Sequence, residues 1–137
     1  MPTWKVRDKR AFLIAAMQEL AGGVHISFEG NLSAIALTGL AGASDDETAA
    51  LKRNTLSPPQ DCVILPLEAD LVETISAVIG GTVPRSILHI QIEKDGRLEL
   101  GIYDNFDPKA SFFGSRLTSN FFDRLTSDGI LKEWVSR

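Results

Sequence analysis

The first third of the chain begins with apolar positions at helical spacing and then changes to strand-like alternation. Between Leu13 and Leu20, apolar residues recur three and four positions apart, which predicts a helix over residues 8–21. Residues 24–28 then alternate with period two, a glycine-asparagine pair favours a tight turn, and residues 32–38 continue apolar. The pattern therefore predicts one helix followed by a first β-hairpin.

The middle of the chain carries two further helix signals and one strand signal. Ser44 and Glu47 have the spacing of a capping box, which predicts a short helix over residues 45–53. After two consecutive prolines, residues 61–65 have the apolar character of a short buried strand. An amphipathic stripe then predicts a helix with Glu68 in its first turn, ended by a glycine pair.

The clearest local signal is a second hairpin over residues 86–104, in which two strands alternate between apolar and polar side chains. A two-residue loop would set Ile92 against Glu99 and mix the two faces. A three-residue loop over residues 94–96, with a G1 bulge at its glycine, pairs Ile92 with Leu98 instead. The pattern therefore favours the three-residue loop.

The last part of the chain completes a single α+β domain over residues 1–137. Residues 105–114 are loop-like, Ser119 can cap a helix that runs through Thr126, and residues 130–135 form a short strand or a docked tail. The predicted order is α-β-β-α-β-α-β-β-α. Hairpins separated by helices favour an antiparallel or mixed sheet with the helices packed mainly on one face.

Composition and charge narrow the function classes. With 137 residues, 44% of them hydrophobic, and a net charge of −4, the chain has the character of one globular domain. It has no apolar run of about 18 residues, so we expect no membrane association. Residues 44–73 carry seven acidic and two basic side chains, a net charge of −5. That segment disfavours nucleic acid and favours a basic protein partner.

The single cysteine, Cys62, excludes an intrachain disulfide and a cysteine-rich zinc site, and its apolar neighbours predict a buried core thiol. The basic N-terminal residues are not followed by an apolar run long enough for a secretory leader. We therefore expect a cytoplasmic protein. No motif in the sequence requires a cofactor.

The polar face of the second hairpin offers one candidate ligand site. In the predicted register His89 lies opposite Gly101, with Tyr103 diagonal to it and Asp104 next in sequence. Histidine titrates near neutral pH, and Tyr103 and Asp104 could supply a donor and an acceptor. A half-exposed strand histidine beside a small residue explains the same pattern, and we favour that structural interpretation.

Two other groups are candidates for contact with a partner. Asp45, Asp46 and Glu47 form an acidic cluster, although helix capping also accounts for acidic residues at a helix start. Phe112 and Phe113 lie in a predicted loop within a phenylalanine-rich stretch and could anchor a partner. The oxygen-bearing residues 104–107 are typical of a structural turn rather than a metal loop.

These observations lead to two hypotheses from different classes. The first is a non-catalytic protein-binding domain that presents the acidic cluster and Phe112–Phe113 to a basic partner, as an immunity-type, inhibitory or adaptor protein would. The second is a small enzyme or ligand-binding domain that uses His89, Tyr103 and Asp104. The sequence lacks phosphate-binding and nucleophile-elbow motifs, which favours the first hypothesis.

Overall fold

A computed structural model describes residues 3–134 and confirms the α+β fold class: three helices, a five-stranded antiparallel sheet and a separate two-stranded sheet. A short 3₁₀ turn, Ala69–Leu71, precedes the second helix. None of these helices has the length and apolar character needed to cross a membrane. In chain order the elements are β1 (Thr3–Val6), α1 (Lys9–Leu20), β2 (Val24–Gly30), β3 (Asp61–Leu67), α2 (Val72–Ile79), β4 (Ile87–Lys94), β5 (Arg97–Ile102), β6 (Phe112–Phe113), α3 (Ser119–Ser127) and β7 (Leu131–Trp134).

Helix α1 forms where the apolar spacing predicts it. The Asp8 side chain accepts a hydrogen bond from the backbone N–H of Ala11 at 3.0 Å, which satisfies one of the unpaired donors of the first turn. The apolar stripe from Phe12 to Leu20 is buried in the core. After the helix, Gly22 and Gly23 adopt φ values of 109° and 67°, which other residues rarely adopt.

Strand β2 is the second strand of the large sheet, whose order is β3-β2-β4-β5-β6. Its residues alternate between two faces. On one face Ile26 lies opposite Ile92 and Phe28 opposite Ile90, and these side chains form one core with the helices. On the other face the side chains are polar but nevertheless buried: Ser27, Glu29, His89, Gln91, Glu93 and Glu99.

The predicted second strand of the first hairpin, residues 32–38, is absent. This segment forms successive turns, in which the Ile35 N–H donates to the carbonyl of Leu32 at 3.0 Å. Its large apolar residues are buried without joining the sheet. Strand β2 pairs instead with β3 and β4 over its full length, because those strands offer seven paired positions each. The chain does turn after Gly30, but pairing with strands distant in sequence, rather than with residues 32–38, determines the neighbours of β2 in the sheet.

The predicted helix over residues 45–53 is also absent. Ser44 forms a bridge with Ile64 of β3, its N–H donating to the Ile64 carbonyl at 2.9 Å. The Ser44 hydroxyl accepts from the Asp46 N–H, and Glu47 accepts from the Arg53 N–H at 2.8 Å. Such side-chain bonds compete with helical ones, so residues that can cap a helix hold an irregular segment here.

The second hairpin is confirmed, but its predicted three-residue loop is wrong. Lys94 pairs with Arg97 across a two-residue Asp95-Gly96 loop, whose φ values are 53° and 75°. Glu93 then lies opposite Leu98, and a bulge places Ile92 opposite Leu100 rather than Leu98. The bulge restores the separation of the faces, but it lies in the strand after the turn instead of in the turn itself.

The two ends of the described chain pair with each other. The described part of the final segment is a strand, β7, which pairs antiparallel with the unpredicted strand β1. Val135, included in the predicted strand, lies outside the described residues. Helix α3 forms as predicted, with Thr118 rather than Ser119 at its N-cap, and Gly129 follows its end with a φ of 75°. The loop over residues 105–114 contains the two-residue strand β6.

Candidate functional site

The predicted partner-binding residues fall at opposite edges of the large sheet. The acidic cluster follows Ser44, which is bridged to the edge strand β3, whereas Phe112 and Phe113 form the edge strand β6 at the other side. Three strands lie between these edges, which corresponds to roughly 19 Å at the usual strand spacing. The cluster Asp45–Glu47 and the pair Phe112–Phe113 are therefore separate surfaces.

A groove of about 670 Å³ with a mainly apolar lining lies beside β6, within the size range of pockets that bind ligands. We call it the aromatic groove. Strand β1 borders it on one side and the start of α3 on another. Its lining residues are Thr3, Trp4, Ser111, Phe112, Phe113, Gly114, Ser115, Leu117, Ser119, Phe122 and Asp123.

Aromatic rings build the walls of this groove. Trp4 stacks on Phe122 with ring centroids 5.1 Å apart and ring planes nearly parallel. Phe113 meets Phe122 edge-on at 5.4 Å and leans on the buried Phe12 of α1 at 6.2 Å. Phe112 is 45% exposed, and among residues 3–134 only Leu56 is a more exposed large apolar side chain. The groove thus has a supported floor and one exposed aromatic rim.

The backbone at the two bordering strands has unused hydrogen-bonding capacity. The Gly114 N–H donates to the Glu99 carbonyl, so in the antiparallel ladder of β5 and β6 the peptide groups of Phe113 point away from β5. The Arg7 N–H donates to the Ile130 carbonyl, and the same alternation points the peptide groups of Trp4 away from β7. No other strand in the described range pairs with either edge.

The second candidate site, around His89, is covered. Residues 48–55, here called the covering segment, pack across the polar face of the sheet. Glu29, 2% exposed, accepts hydrogen bonds from the backbone N–H groups of Asn54 at 2.7 Å and Thr55 at 2.9 Å. The Thr48 hydroxyl donates to Glu93 at 2.9 Å. The polar face therefore binds the covering segment rather than solvent.

His89 itself is 5% exposed, and both of its ring nitrogens are occupied. Its Nδ1 accepts from the backbone N–H of Asp104 at 3.2 Å, which leaves Nε2 to carry the proton of the neutral ring. That N–H donates to the Thr55 hydroxyl at 2.7 Å. The predicted neighbour Tyr103 is confirmed, with ring centroids 5.7 Å apart, and its hydroxyl accepts from Gln91 at 2.9 Å.

The predicted gap opposite His89 does not exist. Gly101 lies opposite Gln91, because of the bulge in β5, and the Tyr103 ring occupies the space above it. A Cβ atom at Gly101 would come within 2.6 Å of the Tyr103 hydroxyl oxygen. The sequence thus identified residues that do lie together, but it did not predict that they fill their own cavity.

Asp104 contributes its backbone rather than its carboxylate to this arrangement. Asp104, Asn105 and Phe106 adopt φ values of 51°, 57° and 64°, a left-handed turn that is costly for residues with a Cβ atom. The Asn105 N–H donates to the Leu88 carbonyl, and Lys9 donates to the Asn105 side chain at 2.6 Å. Residues 104–106 therefore form a turn, as the sequence predicts. Between residues 3 and 134 no three His, Cys, Asp or Glu side chains cluster as metal ligands.

Cys62 lies at the β3 edge beside an open cavity that Asp45 and Arg53 also line. It is half-buried rather than a core residue. Burial raises the pKa of the Cys62 thiol above its ordinary value; Arg53 opposes the rise, and the carboxylates of Glu29, Glu47 and Asp45 add to it. A thiol with a raised pKa is a poor nucleophile at neutral pH.

We therefore expect iodoacetamide to alkylate Cys62 slowly at pH 8. The midpoint of the rate against pH should lie above that of a cysteine in an unstructured peptide, because less thiolate is present at each pH. Replacing Arg53 by glutamine should move the midpoint further up, and Asp45→Asn should move it down. A midpoint at or below that of the peptide would contradict this environment.

Sequence reasoning missed three residues that define the two sites. Trp4 and Phe122 line the aromatic groove, and Glu29 holds the covering segment. The clustering of phenylalanines after Phe106 pointed toward Phe122, but nothing local pointed to Trp4. The alternation of β2 indicates that the Glu29 side chain points to the polar face of the strand. It does not indicate that this side chain is buried.

Together, the fold and the groove define a single α+β domain with an aromatic recess between two strand edges. No protein-family model matches the chain, and neither a curated protein nor a solved structure matches it.

Proposed function

We propose that this protein is a non-catalytic, cytoplasmic protein-binding domain and that its partner docks on the aromatic groove. The observation that carries the proposal is an apolar recess rimmed by the half-exposed Phe112 and supported by the stacked Trp4 and Phe122. Aromatic side chains in preformed recesses supply much of the binding energy of protein interfaces. The lone, half-buried Cys62 is consistent with a reducing compartment.

The acidic segment favours a basic partner. Asp45, Asp46 and Glu47 are exposed, and they belong to the part of the chain with a net charge of −5. Exposed charge of one sign accelerates encounter with an oppositely charged protein without requiring direct contact. An immunity-type or other inhibitory protein for a basic toxin or nuclease would combine this charge with a small size, an analogy of charge and size alone.

The alternative, a small enzyme or ligand-binding domain at His89, Tyr103 and Asp104, has less support. A general base needs an open approach to its substrate, whereas the His89 ring lies under the covering segment with both nitrogens engaged. The raised pKa of Cys62 likewise disfavours a thiolate nucleophile at the neighbouring edge.

Affinity capture from cells that naturally make the protein tests the proposal, with Phe112→Ala as the variant. We expect a protein that co-purifies with the wild type and is lost, or weakened at least tenfold, with Phe112→Ala, as truncating an interface anchor typically does. Because Phe112 is 45% exposed, its replacement should leave the thermal midpoint nearly unchanged. Leu56→Ala, at another exposed apolar site, is the matched control.

Two further variants separate the hypotheses. Reversing the charges of Asp45, Asp46 and Glu47 to lysine should slow association and flatten its salt dependence. A His89→Asn variant that stays folded should bind the partner as the wild type does. If every co-purifying protein binds Phe112→Ala unchanged, the groove is not the docking surface.

A further inference from the structure

We propose that the aromatic groove binds its partner as an extended strand, with apolar side chains at alternate positions followed by a lysine or arginine on the same face. This inference rests on the proposed function and specifies the chemistry of its ligand. It follows from the free backbone groups of the two bordering strands, from the charge at the groove, and from the like-charge repulsion that a second copy of the chain would meet there.

The backbone favours an extended ligand. Trp4 and Phe113 both line the groove, and the peptide groups of each point away from the strand with which it pairs. A strand edge of this kind recruits an added strand through main-chain hydrogen bonds, while alternate side chains enter adjacent pockets. With only two residues, β6 is too short to template aggregation but long enough to set the register of a short peptide.

The charge at the groove favours a cation. Asp123 lines the groove, and Glu133 lies directly across from Trp4 on the same face of the β1–β7 ribbon. In the described part of the chain, neither carboxylate has a basic group within ion-pair distance. The ribbon's own cations, Lys5 and Lys132, pair on the opposite face.

Two basic side chains that are close in sequence to the lining residues, Arg116 and Arg124, are already engaged in ion pairs. Arg116 contacts Asp95 at 2.8 Å and Glu99 at 3.6 Å, and Arg124 contacts Glu19 at 3.4 Å. The groove therefore combines apolar walls with the carboxylates of Asp123 and Glu133, which have no ion-pair partner among the described residues. An apolar strand that carries Lys or Arg complements both features.

A second copy of this chain is a poorer occupant. Two-fold pairing through the groove would bring the same surface from each copy together, and with it Asp123 and Glu133 of both copies. Like charges brought together in an interface disfavour association. The same argument disfavours acidic peptides.

Titration calorimetry on the full chain with three blocked heptapeptides tests the inference. The probe is Lys-Thr-Val-Thr-Val-Thr-Lys, whose alternate positions place both valines and both lysines on one face. The first comparison peptide replaces both lysines by glutamate, and the second replaces the central threonine by proline. We expect the lysine peptide to bind at least tenfold more tightly than either, because the glutamate peptide lacks a favourable charge and the proline peptide lacks a backbone donor.

Variants of the protein supply the matching controls. Asp123→Lys should reverse the preference between the lysine and glutamate peptides, and Phe112→Ala should weaken binding of the lysine peptide about tenfold. Hydrogen exchange followed by NMR provides a direct readout of strand addition. The amide protons of Trp4 and Phe113 should exchange more slowly in the peptide complex, while that of the exposed Lys52 should not change.

Each remaining outcome overturns the inference. Equal binding of the lysine and proline peptides would exclude strand addition, and equal binding of the lysine and glutamate peptides would exclude the charge argument. A dimer in sedimentation experiments that Phe112→Ala dissociates would assign the groove to a second copy. If no peptide binds while the captured partner still requires Phe112, the extended-strand inference fails and the protein-binding function stands.

Discussion

Replacing Phe12 by alanine is expected to lower the free energy of unfolding by about 4 kcal/mol, the typical cost of removing a fully buried phenylalanine. The Phe12 side chain is completely inaccessible to solvent. Its ring packs edge-on against two other rings, with centroid separations of 6.3 Å to Phe121 and 6.2 Å to Phe113. The truncation would leave a cavity between α1, α3 and β6 at the base of the aromatic groove.

Urea denaturation followed by circular dichroism measures this loss. Phe112→Ala is the control, since the same change of side chain at a 45% exposed position should cost less than about 1 kcal/mol. If the two variants have equal stability, the assignment of Phe12 to the core is wrong. A folded Phe12→Ala protein should also bind the lysine heptapeptide less tightly, because Phe113 loses its support.

Replacing Glu29 by glutamine should lower the free energy of unfolding by about 2–3 kcal/mol. Both carboxylate oxygens of Glu29 accept backbone N–H groups of the covering segment. A glutamine side chain has one oxygen, so its amide N–H₂ must face one of those donors, and that partly buried N–H then loses its partner against the buried side chain. The effect should be concentrated in residues 48–55.

Limited trypsin digestion localises the effect, because Lys52 and Arg53 lie within the covering segment. Cleavage at these two sites should be faster in Glu29→Gln than in the wild type, since release of the segment exposes its backbone. Glu47→Gln is the matched control: Glu47 accepts one N–H, from Arg53, at an exposed site. Equal cleavage rates in the two variants would argue against a clamping role for Glu29.

The covering segment also explains why the sequence predicted the neighbours of His89 but not its burial. Alternation placed His89 and Tyr103 on one face, and they do lie together. The sequence could not reveal that Thr55 would reach the ring, because residues 48–55 have no periodic pattern and are held by side-chain hydrogen bonds to distant strands. Burial of polar residues by an irregular segment leaves no local signal.

The aromatic groove was predictable to the same partial extent. Phe112 and Phe113 stood out by composition, whereas Trp4 enters the groove only because β1 pairs with β7 at the far end of the chain. Pairing between segments separated by nearly the whole chain depends on the packing of everything between them. The acidic cluster was visible in the sequence, but its separation from Phe112 follows from the strand order.

Local sequence signals by themselves determined the helices α1, α2 and α3, the strand that begins at Asp61, and the second hairpin, because periodicity, capping residues and apolar runs are set by side chains that are neighbours in sequence. The tertiary structure alone decided that β2 pairs with β3 and β4 rather than with residues 32–38. It also decided the position of the bulge in the second hairpin and the burial of the polar face of the sheet. Those choices compare burial and pairing over the whole molecule, so turn and capping signals that were locally adequate at Gly30 and Ser44 gave way to a better global arrangement.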